Sequence, residues 1–424
     1  MPNESRIPPI EYDLFVSYRR GDTMEVADWV AALERAGVRC FYDAQTIAEL
    51  EGFPERIRQG IDRSLAMLAV WSRGYAESGH CLDEFLRAWQ HARRCSFDIG
   101  RRIWVMKTED DVGHIHSGEL NAQNFIDLPS PKDLDAWAQG LRERVNMLRA
   151  QGALSVELEP SSAPPRYGVP HVVTEFTGRQ RELLGIHSKL HPAKIGTAGA
   201  AVSVQTHGLG GIGKTELAKA YADRFAHAYP GGIWWLNLAA FEPRGDVDIS
   251  AAESAWLSAL EAALSPTAPS LSDKLLRDSD GNALQANRAR ECIAQHLQGS
   301  GRVLWILDNV PELTPDNARE QVLQLWRAPI DHGATLLTTR DSRSTPGYIG
   351  FPIDVLTAED GLHLLIRYWR KVAQARQQPD VKPPQEQIDA AKWLVQHVGG
   401  HAKALTLIGA QIASMSNADE FVAL

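Results

Sequence analysis

The chain has 424 residues, 44% of them hydrophobic, enough apolar content for two or three domains that each close a core. Lys+Arg 44 against Asp+Glu 53 leaves a formal charge of −9, which excludes a general nucleic-acid binder with a phosphate-neutralising basic face. No apolar run approaches the ~20 residues of a membrane span, and Met1-Pro-Asn-Glu-Ser-Arg lacks the apolar core of a secretory signal.

In chain order, Leu14-Phe-Val reads as a first strand, followed by a helix that sets Val26, Val30 and Leu33 on one face. Val38 to Tyr42 reads as a second strand, Ile57 and Ile61 mark a helix, and Met67 to Val70 a third strand. A helix from about Leu82 and a strand over Ile103 to Met106 follow. This alternation predicts a parallel sheet covered by helices on both faces. Between Ser155 and Pro170, Pro160, Pro164, Pro165 and Pro170 stand among Ser, Ala and Gly, the composition of a linker. The rhythm then returns, with strands at Val202–Val204, Ile233–Leu236, Val303–Leu307 and Thr335–Thr338. Ser265 to Asn287 is polar and turn-rich and reads as an inserted loop. Beyond about residue 355 only helical patterns remain, so a small helical domain is expected. The four cysteines, Cys40, Cys81, Cys95 and Cys292, show no CxxC spacing, so neither a zinc site nor a disulfide framework is expected, and a reducing, cytoplasmic setting fits.

Gly208-Leu-Gly-Gly-Ile-Gly-Lys214-Thr215 matches G-x-x-x-x-G-K-[ST] in full, after a strand and before a helix whose Leu217, Ala218, Tyr221 and Phe225 share a face. Gly208, Gly210, Gly211 and Gly213, with Ile212, let backbone N–H groups converge on a phosphate. Lys214 adds charge at the β/γ-phosphates, and the Thr215 hydroxyl can ligate Mg²⁺. Val303-Leu-Trp-Ile-Leu-Asp308-Asn309 is an apolar strand ending in an acid placed to hold the metal's water shell, although a terminal Asp also starts turns. In Leu336-Leu-Thr-Thr339-Arg340 a strand ends in an arginine that either senses a γ-phosphate or is solvated.

Phe176-Thr-Gly-Arg179-Gln-Arg-Glu-Leu183, then GLGGIGKT, LWILDN, LLTTR and Gly399-Gly400-His401-Ala402-Lys403-Ala404-Leu405 fall in the order of the NB-ARC class of STAND ATPases, which residues 172–424 resemble. The resemblance implies bound ATP or ADP with Mg²⁺. Phe176 and Arg179 then lie on the adenine side, Thr215 and Asp308 at the metal, Arg340 as sensor, and His401 at the nucleotide. It also implies a winged-helix domain and a repeat-built sensor module, within the same protein or separate from it. Two departures stand out. Asn309 replaces a second acid, and an amide cannot take a proton from the attacking water, so slow ATP turnover is expected. Ala402 replaces a proline that packs near the nucleotide.

Tyr12-Asp13-Leu-Phe15-Val-Ser17-Tyr18-Arg19-Arg20, the strand Val38-Arg-Cys-Phe41-Tyr-Asp43, Leu68-Ala-Val-Trp71-Ser72 with Tyr75, and Cys81-Leu-Asp83-Glu84-Phe85 resemble a Toll/interleukin receptor (TIR) domain in order and kind. His80 departs from it, standing where many relatives carry Trp. The fold expected is therefore α/β: a flavodoxin-like TIR domain (8–150), a linker (151–171), a P-loop NTPase domain (172–345) and a helical domain (346–424). Enzymes of the TIR family cleave NAD⁺ at the nicotinamide–ribose bond with one Glu, which this match makes Glu84. Nicotinamide leaves as a neutral group, so a single carboxylate that stabilises the oxocarbenium-like ribose suffices. Leu82, Phe85, Leu86 and Trp89 form an apolar stripe, and at ~100° per residue Glu84 lies roughly 150° from its centre, outside the core. The competing reading is an acid in a helix's first turn, favoured by the macrodipole alone.

The remaining NAD⁺ contacts the resemblance implies are Phe15, Ser17, Arg19, Arg20, Asp43, Trp71, Ser72 and Tyr75. Arg19 and Arg20 meet the pyrophosphate or are a solvated pair. Asp43 is equally a turn former. Trp71 and Tyr75 stack on a base or pack, and packing is favoured for Trp71. In the family, the loop after the second strand helps complete the site across a subunit contact; here it is Ala44 to Phe53, with Gly52 as pivot and Ile47, Leu50 and Phe53 either as anchors on a partner or folded inward. Together the two resemblances imply a nucleotide-gated defence effector that self-associates through both domains and hydrolyses NAD⁺ to nicotinamide and ADP-ribose or a cyclic form. A TIR adaptor without chemistry is the alternative. No membrane or direct nucleic-acid partner is expected.

Overall fold

The computed structural model describes residues 9–19, 21, 25–42, 55–94, 99–109, 120, 124–150, 163–171, 176–191, 202–375 and 383–414. The chain divides into two units, residues 1–163 with 191–194 and residues 164–190 with 195–424. Among the described residues, no helix is long and apolar enough to cross a membrane.

The first unit runs β1 (Tyr12–Tyr18), α1 (Val26–Arg35), β2 (Cys40–Phe41), α2 (Glu55–Asp62), β3 (Ser64–Trp71), α3 (Arg73–Glu77), α4 (Gly79–Arg94), α5 (Ile99–Arg102), β4 (Ile103–Lys107), β5 (Phe125–Ile126) and α6 (Leu134–Leu148). Its sheet is parallel, in the order β2-β1-β3-β4-β5. All eight residues of β3 are buried, as expected of a strand covered on both faces. Period-2 alternation sorts the side chains. Leu14, Val16, Ala66, Leu68, Val70, Trp104 and Met106 join one core with Val26, Trp29, Val30 and Leu33 of α1 and Leu141 and Val145 of α6. Phe15, Ser17 and Trp71 take the opposite parity, toward α4. The second strand is shorter than Val38 to Tyr42 predicts. Only Cys40 and Phe41 pair with β1, while Val38 closes the preceding turn through its N–H to Leu33.

The second unit continues with β6 (Arg166–Tyr167), α7 (Gln180–Leu190), β7 (Val202–His207), α8 (Lys214–Arg224), β8 (Ile233–Asn237), α9 (Ile249–Leu264), α10 (Pro269–Leu276), α11 (Ala286–Leu297) and β9 (Val303–Val310). α12 (Asp316–Trp326), β10 (Gly333–Thr339), β11 (Ile349–Pro352), α13 (Ala358–Ala375), α14 (Gln385–His397) and α15 (Ala402–Ser414) complete it. The sheet is again parallel, ordered β11-β7-β10-β9-β8-β6. Four fully buried tryptophans fill one side. Trp234 stacks on Trp305 with centroids 5.3 Å apart, Trp305 Nε1 donates to the Trp326 carbonyl at 2.8 Å, and Trp326 Nε1 to that of Ala252 at 3.1 Å, whereas Nε1 of Trp234 and of Trp256 are buried without an acceptor among the described residues.

Two sequence expectations need correction here. Ser265 to Asn287 is not a loop: it contains α10 and the start of α11, because Leu275 and Leu276 are 1% and 6% exposed and anchor the segment in the tryptophan core. The end of the expected linker is a strand. Arg166 and Tyr167 pair with Ile233 and Trp234, and the Tyr167 ring lies 4.4 Å from that of Trp234.

Candidate functional site

In the first unit, chain order and sheet order diverge at β1, so β1 and β3 flank a topological switch point, where open α/β sheets place ligands at the carboxyl ends of their strands. Ser17, 1% exposed near the end of β1, donates from Oγ to Glu84 Oε2 at 2.5 Å and lies 2.7 Å from the Tyr75 hydroxyl. The single serine hydrogen goes to the carboxylate, so Tyr75 donates to Ser17. Burial first, then the charges of Cys81 and Glu84, keep the Tyr75 phenol well above its usual pKa, which fits a donor. Glu84 is half-buried, while Leu82, Phe85, Leu86 and Trp89 of the same helix are 0–4% exposed. Because α4 begins at Gly79 rather than Leu82, Glu84 sits beyond the first turn. A macrodipole preference therefore does not account for it.

In the second unit a cleft of about 900 Å³ lies over the Gly208–Thr215 loop, a size suited to a small-molecule ligand. Gly213 (φ +99) forms the left-handed turn from which α8 starts. Gly211 (φ +77) approaches the chain so closely that a Cβ there would meet His401 Cε1 at 2.9 Å. Lys214 Nζ donates to the carbonyls of Gly208 and Leu209, both at 2.8 Å. Burial, then the charge of Arg340, lowers the Lys214 pKa, partly offset by Asp308. Arg340 stands beside Gly210, where an added Cβ would lie 3.4 Å from the guanidinium carbon. Lys214 and Arg340 thus bring neighbouring positive charges to one cleft.

Asp308, 2% exposed, accepts at Oδ1 from Thr215 Oγ1 (2.8 Å) and Thr338 Oγ1 (2.6 Å). Burial raises its carboxyl pKa against the pull of those two donors. Thr215 and Asp308 supply adjacent oxygen donors, the hard set that Mg²⁺ takes while keeping most of its waters, and these residues fit that ion. Asn309, at φ +58, donates from Nδ2 to Asn237 Oδ1 (3.1 Å) and Asp308 Oδ2 (3.2 Å). It carries no titratable group to the cleft.

Residues 14–143 match the family model described as "TIR domain". The N-terminal unit is a TIR domain. Curated relatives include the disease resistance proteins RPV1 and RUN1 of Vitis rotundifolia. The first is 27% identical over 230 residues (49% of this chain, 15% of that protein), and the second 24% over 235 (50% and 16%). The chain therefore spans 15–16% of the length of these two relatives. Among solved structures, a STAND protein with a tetratricopeptide repeat sensor from Pyrococcus horikoshii aligns at 22% identity over 62% of this chain and 32% of its own, with TM-score 0.33. The TIR domains of an activated Roq1 resistosome align at 20% over 32% and 84%, with TM-score 0.22.

The TIR domain sorts its expected NAD⁺ contacts into three groups. Ser17, Tyr75 and Glu84 come together. Phe15, Trp71 and Ser72 are occupied elsewhere. Phe15 is 2% exposed and stacked 5.5 Å from Phe41, and Trp71 is 1% exposed between Tyr75 (4.7 Å) and Phe85 (4.8 Å), so neither ring is open to a base. Tyr75, 0% exposed, likewise packs rather than stacks on a ligand. Ser72 caps α3 by accepting from the Tyr75 N–H at 2.9 Å. Arg19 is exposed after β1, and Arg20, Asp43 and the loop Ala44 to Phe53 lie outside the described residues.

Of the residues expected at the nucleotide, Phe176, Ile212, Thr215 and Arg340 line the cleft. Arg179 also lines it, yet its guanidinium is committed: Nη1 to Glu182 at 2.6 Å, Nη2 to the carbonyls of Ile212 (3.0 Å) and Asp354 (2.6 Å). It braces the phosphate loop. His401 does the same from α15's start, Nε2 donating to the Gly210 carbonyl at 3.0 Å while Nδ1 accepts from the Ala404 N–H at 3.4 Å. The sequence reading missed Phe241, Glu242, Glu312, Leu364, Tyr368 and Lys403, which also line the cleft. Lys403 belongs to the Gly399–Leu405 motif but was given no role there, and the others come from loops and helices outside any motif, so no spacing marks them.

With Asn309 unable to act as a base, ATP turnover is expected to stay below ~1 s⁻¹ despite tight binding, measured by phosphate release from the purified chain. Turnover in the ordinary enzyme range would contradict this and direct attention to Glu242 or Glu312.

Proposed function

We propose that this chain is a nucleotide-gated defence effector acting in the cytoplasm. Its nucleotide-binding unit, an NB-ARC-type module with its P-loop domain over 172–345 and helical domain over 346–424, binds ATP or ADP with Mg²⁺ and oligomerises. The TIR domain (8–150) then hydrolyses NAD⁺ at the nicotinamide–ribose bond. The observation that carries the reading is Glu84, held at the switch point of a TIR domain by the buried Ser17. The disease resistance proteins among its relatives support the defence role.

In the reaction the glycosidic C–N bond breaks, its electron pair leaves with neutral nicotinamide, and the Glu84 carboxylate stabilises the positive ribose. Water adds at the same carbon and loses a proton to give ADP-ribose, or an internal nucleophile closes a cyclic form. Self-association is part of the proposal, through both the TIR domain and the nucleotide-binding unit, with a sensor module supplying the trigger. Mass spectrometry of NAD⁺ incubated with the full chain tests it. Nicotinamide should appear, with a specific rate that rises with protein concentration. Intact NAD⁺ at every concentration would instead support an adaptor that only recruits other TIR domains.

A further inference from the structure

The loop that carries Arg340 is anchored by buried polar side chains outside every phosphate-binding motif. Gln205 on β7, 2% exposed, donates from Nε2 to the carbonyls of Asp341 (2.9 Å) and Arg343 (3.1 Å), and its Oε1 accepts from Thr345 Oγ1 at 2.8 Å. Arg319 on α12, 4% exposed, donates to the carbonyls of Arg343 (2.8 Å) and Ser344 (3.0 Å), and its Nε lies 3.3 Å from Asp341 Oδ2. Both side chains of that ion pair are 5% exposed. Withdrawing two charges from water is costly, and apolar residues would fill the space at least as stably. What the polar set achieves is a fixed path for residues 341–345.

That path matters because of where it begins. β7 runs directly into the phosphate loop and pairs in register with β10, His207 opposite Thr339 and Gln205 opposite Leu337. One side chain of the phosphate-loop strand therefore holds the segment just beyond Arg340. Arg340 itself is exposed and reaches over Gly210. A long exposed side chain is aimed by its backbone, and loosening that backbone adds an ordering cost when the guanidinium meets a ligand.

We propose that Gln205, with Thr345 and the Arg319–Asp341 pair, is the positioning element that aims Arg340, so that preference for a nucleoside triphosphate over a diphosphate depends on it. This rests on reading Arg340 as the γ-phosphate sensor. On that reading a diphosphate lacks the group the arginine meets, so its affinity should be insulated from the anchor.

The test is equilibrium binding of ADP and of a non-hydrolysable ATP analogue to the purified full chain. Arg340→Ala should lower the ratio of triphosphate to diphosphate affinity. Gln205→Leu should lower it by about tenfold while ADP affinity stays within about twofold. Thr345→Val should act in the same direction, and Thr345→Ser should restore the ratio. Adding Gln205→Leu to Arg340→Ala should change nothing further, since both act through one side chain. If Gln205→Leu does not fold, the Thr345 pair decides. An unchanged ratio in the folded Gln205 and Thr345 variants, with Arg340→Ala effective, overturns the anchor and leaves the sensor standing. Equal weakening of both nucleotides also overturns it. An unchanged ratio in Arg340→Ala removes the sensor, and the anchor with it.

Discussion

Lys214→Ala is expected to strip nucleotide from the second unit without unfolding it. The ammonium caps the carbonyls of Gly208 and Leu209 and is half-buried, so its removal opens no core cavity. What it removes is a charge-assisted contact to phosphate, worth ~2–4 kcal/mol, or roughly 30- to 1000-fold in affinity. Burial and the neighbouring Arg340 disfavour the charged amine. A phosphate reverses that preference, so binding favours the protonated lysine and affinity should fall first on the alkaline side. Nucleotide extracted from the purified variant, with thermal unfolding as control, checks this. Retained ADP or ATP would contradict the assignment.

Glu84→Gln is the second large effect. Glutamine keeps the shape and an oxygen that accepts from Ser17, so the 2.5 Å contact and the buried Tyr75 behind it survive. Only the negative charge is lost. NAD⁺ cleavage should then fall by ~10²–10³-fold or more in kcat, with unfolding unchanged. Ser17→Ala, which leaves the carboxylate charged but removes the serine contact, should cost about tenfold. A Glu84→Gln rate close to wild type would mean that Glu84 is not the group that meets the ribose.

Much of the second unit's cleft was legible because its chemistry is contiguous. Eight consecutive residues specify the phosphate loop, while Asp308 lies late in one apolar strand and Arg340 directly follows another. The TIR strands declared themselves through hydrophobic runs, and the α4 stripe set Glu84 off the core face. The roles of single residues were harder to read. Period 2 puts Ser17 and Trp71 on the same side of the sheet, yet only the packed structure tells that one reaches Glu84 while the other is sandwiched between Tyr75 and Phe85. Arg179 and His401 contact the phosphate-loop carbonyls across long stretches of chain, a pairing no local pattern encodes. The segment Ser265 to Asn287 looked like a loop because its polar residues outnumber Leu271, Leu275 and Leu276. Those leucines, at helical spacing, are what bind it to the core. Gln205 was invisible for the opposite reason, being a polar residue in a strand that reads as ordinary.

The measurement closest to the central claim is the rate of NAD⁺ consumption by the full chain, clustered through a fused oligomerisation tag, in a non-hydrolysable ATP analogue and in ADP. The account predicts nicotinamide release that is fast in the clustered protein with the triphosphate, slower in ADP, and absent in Glu84→Gln under either condition. NAD⁺ left intact by the clustered wild-type protein with bound triphosphate would contradict it.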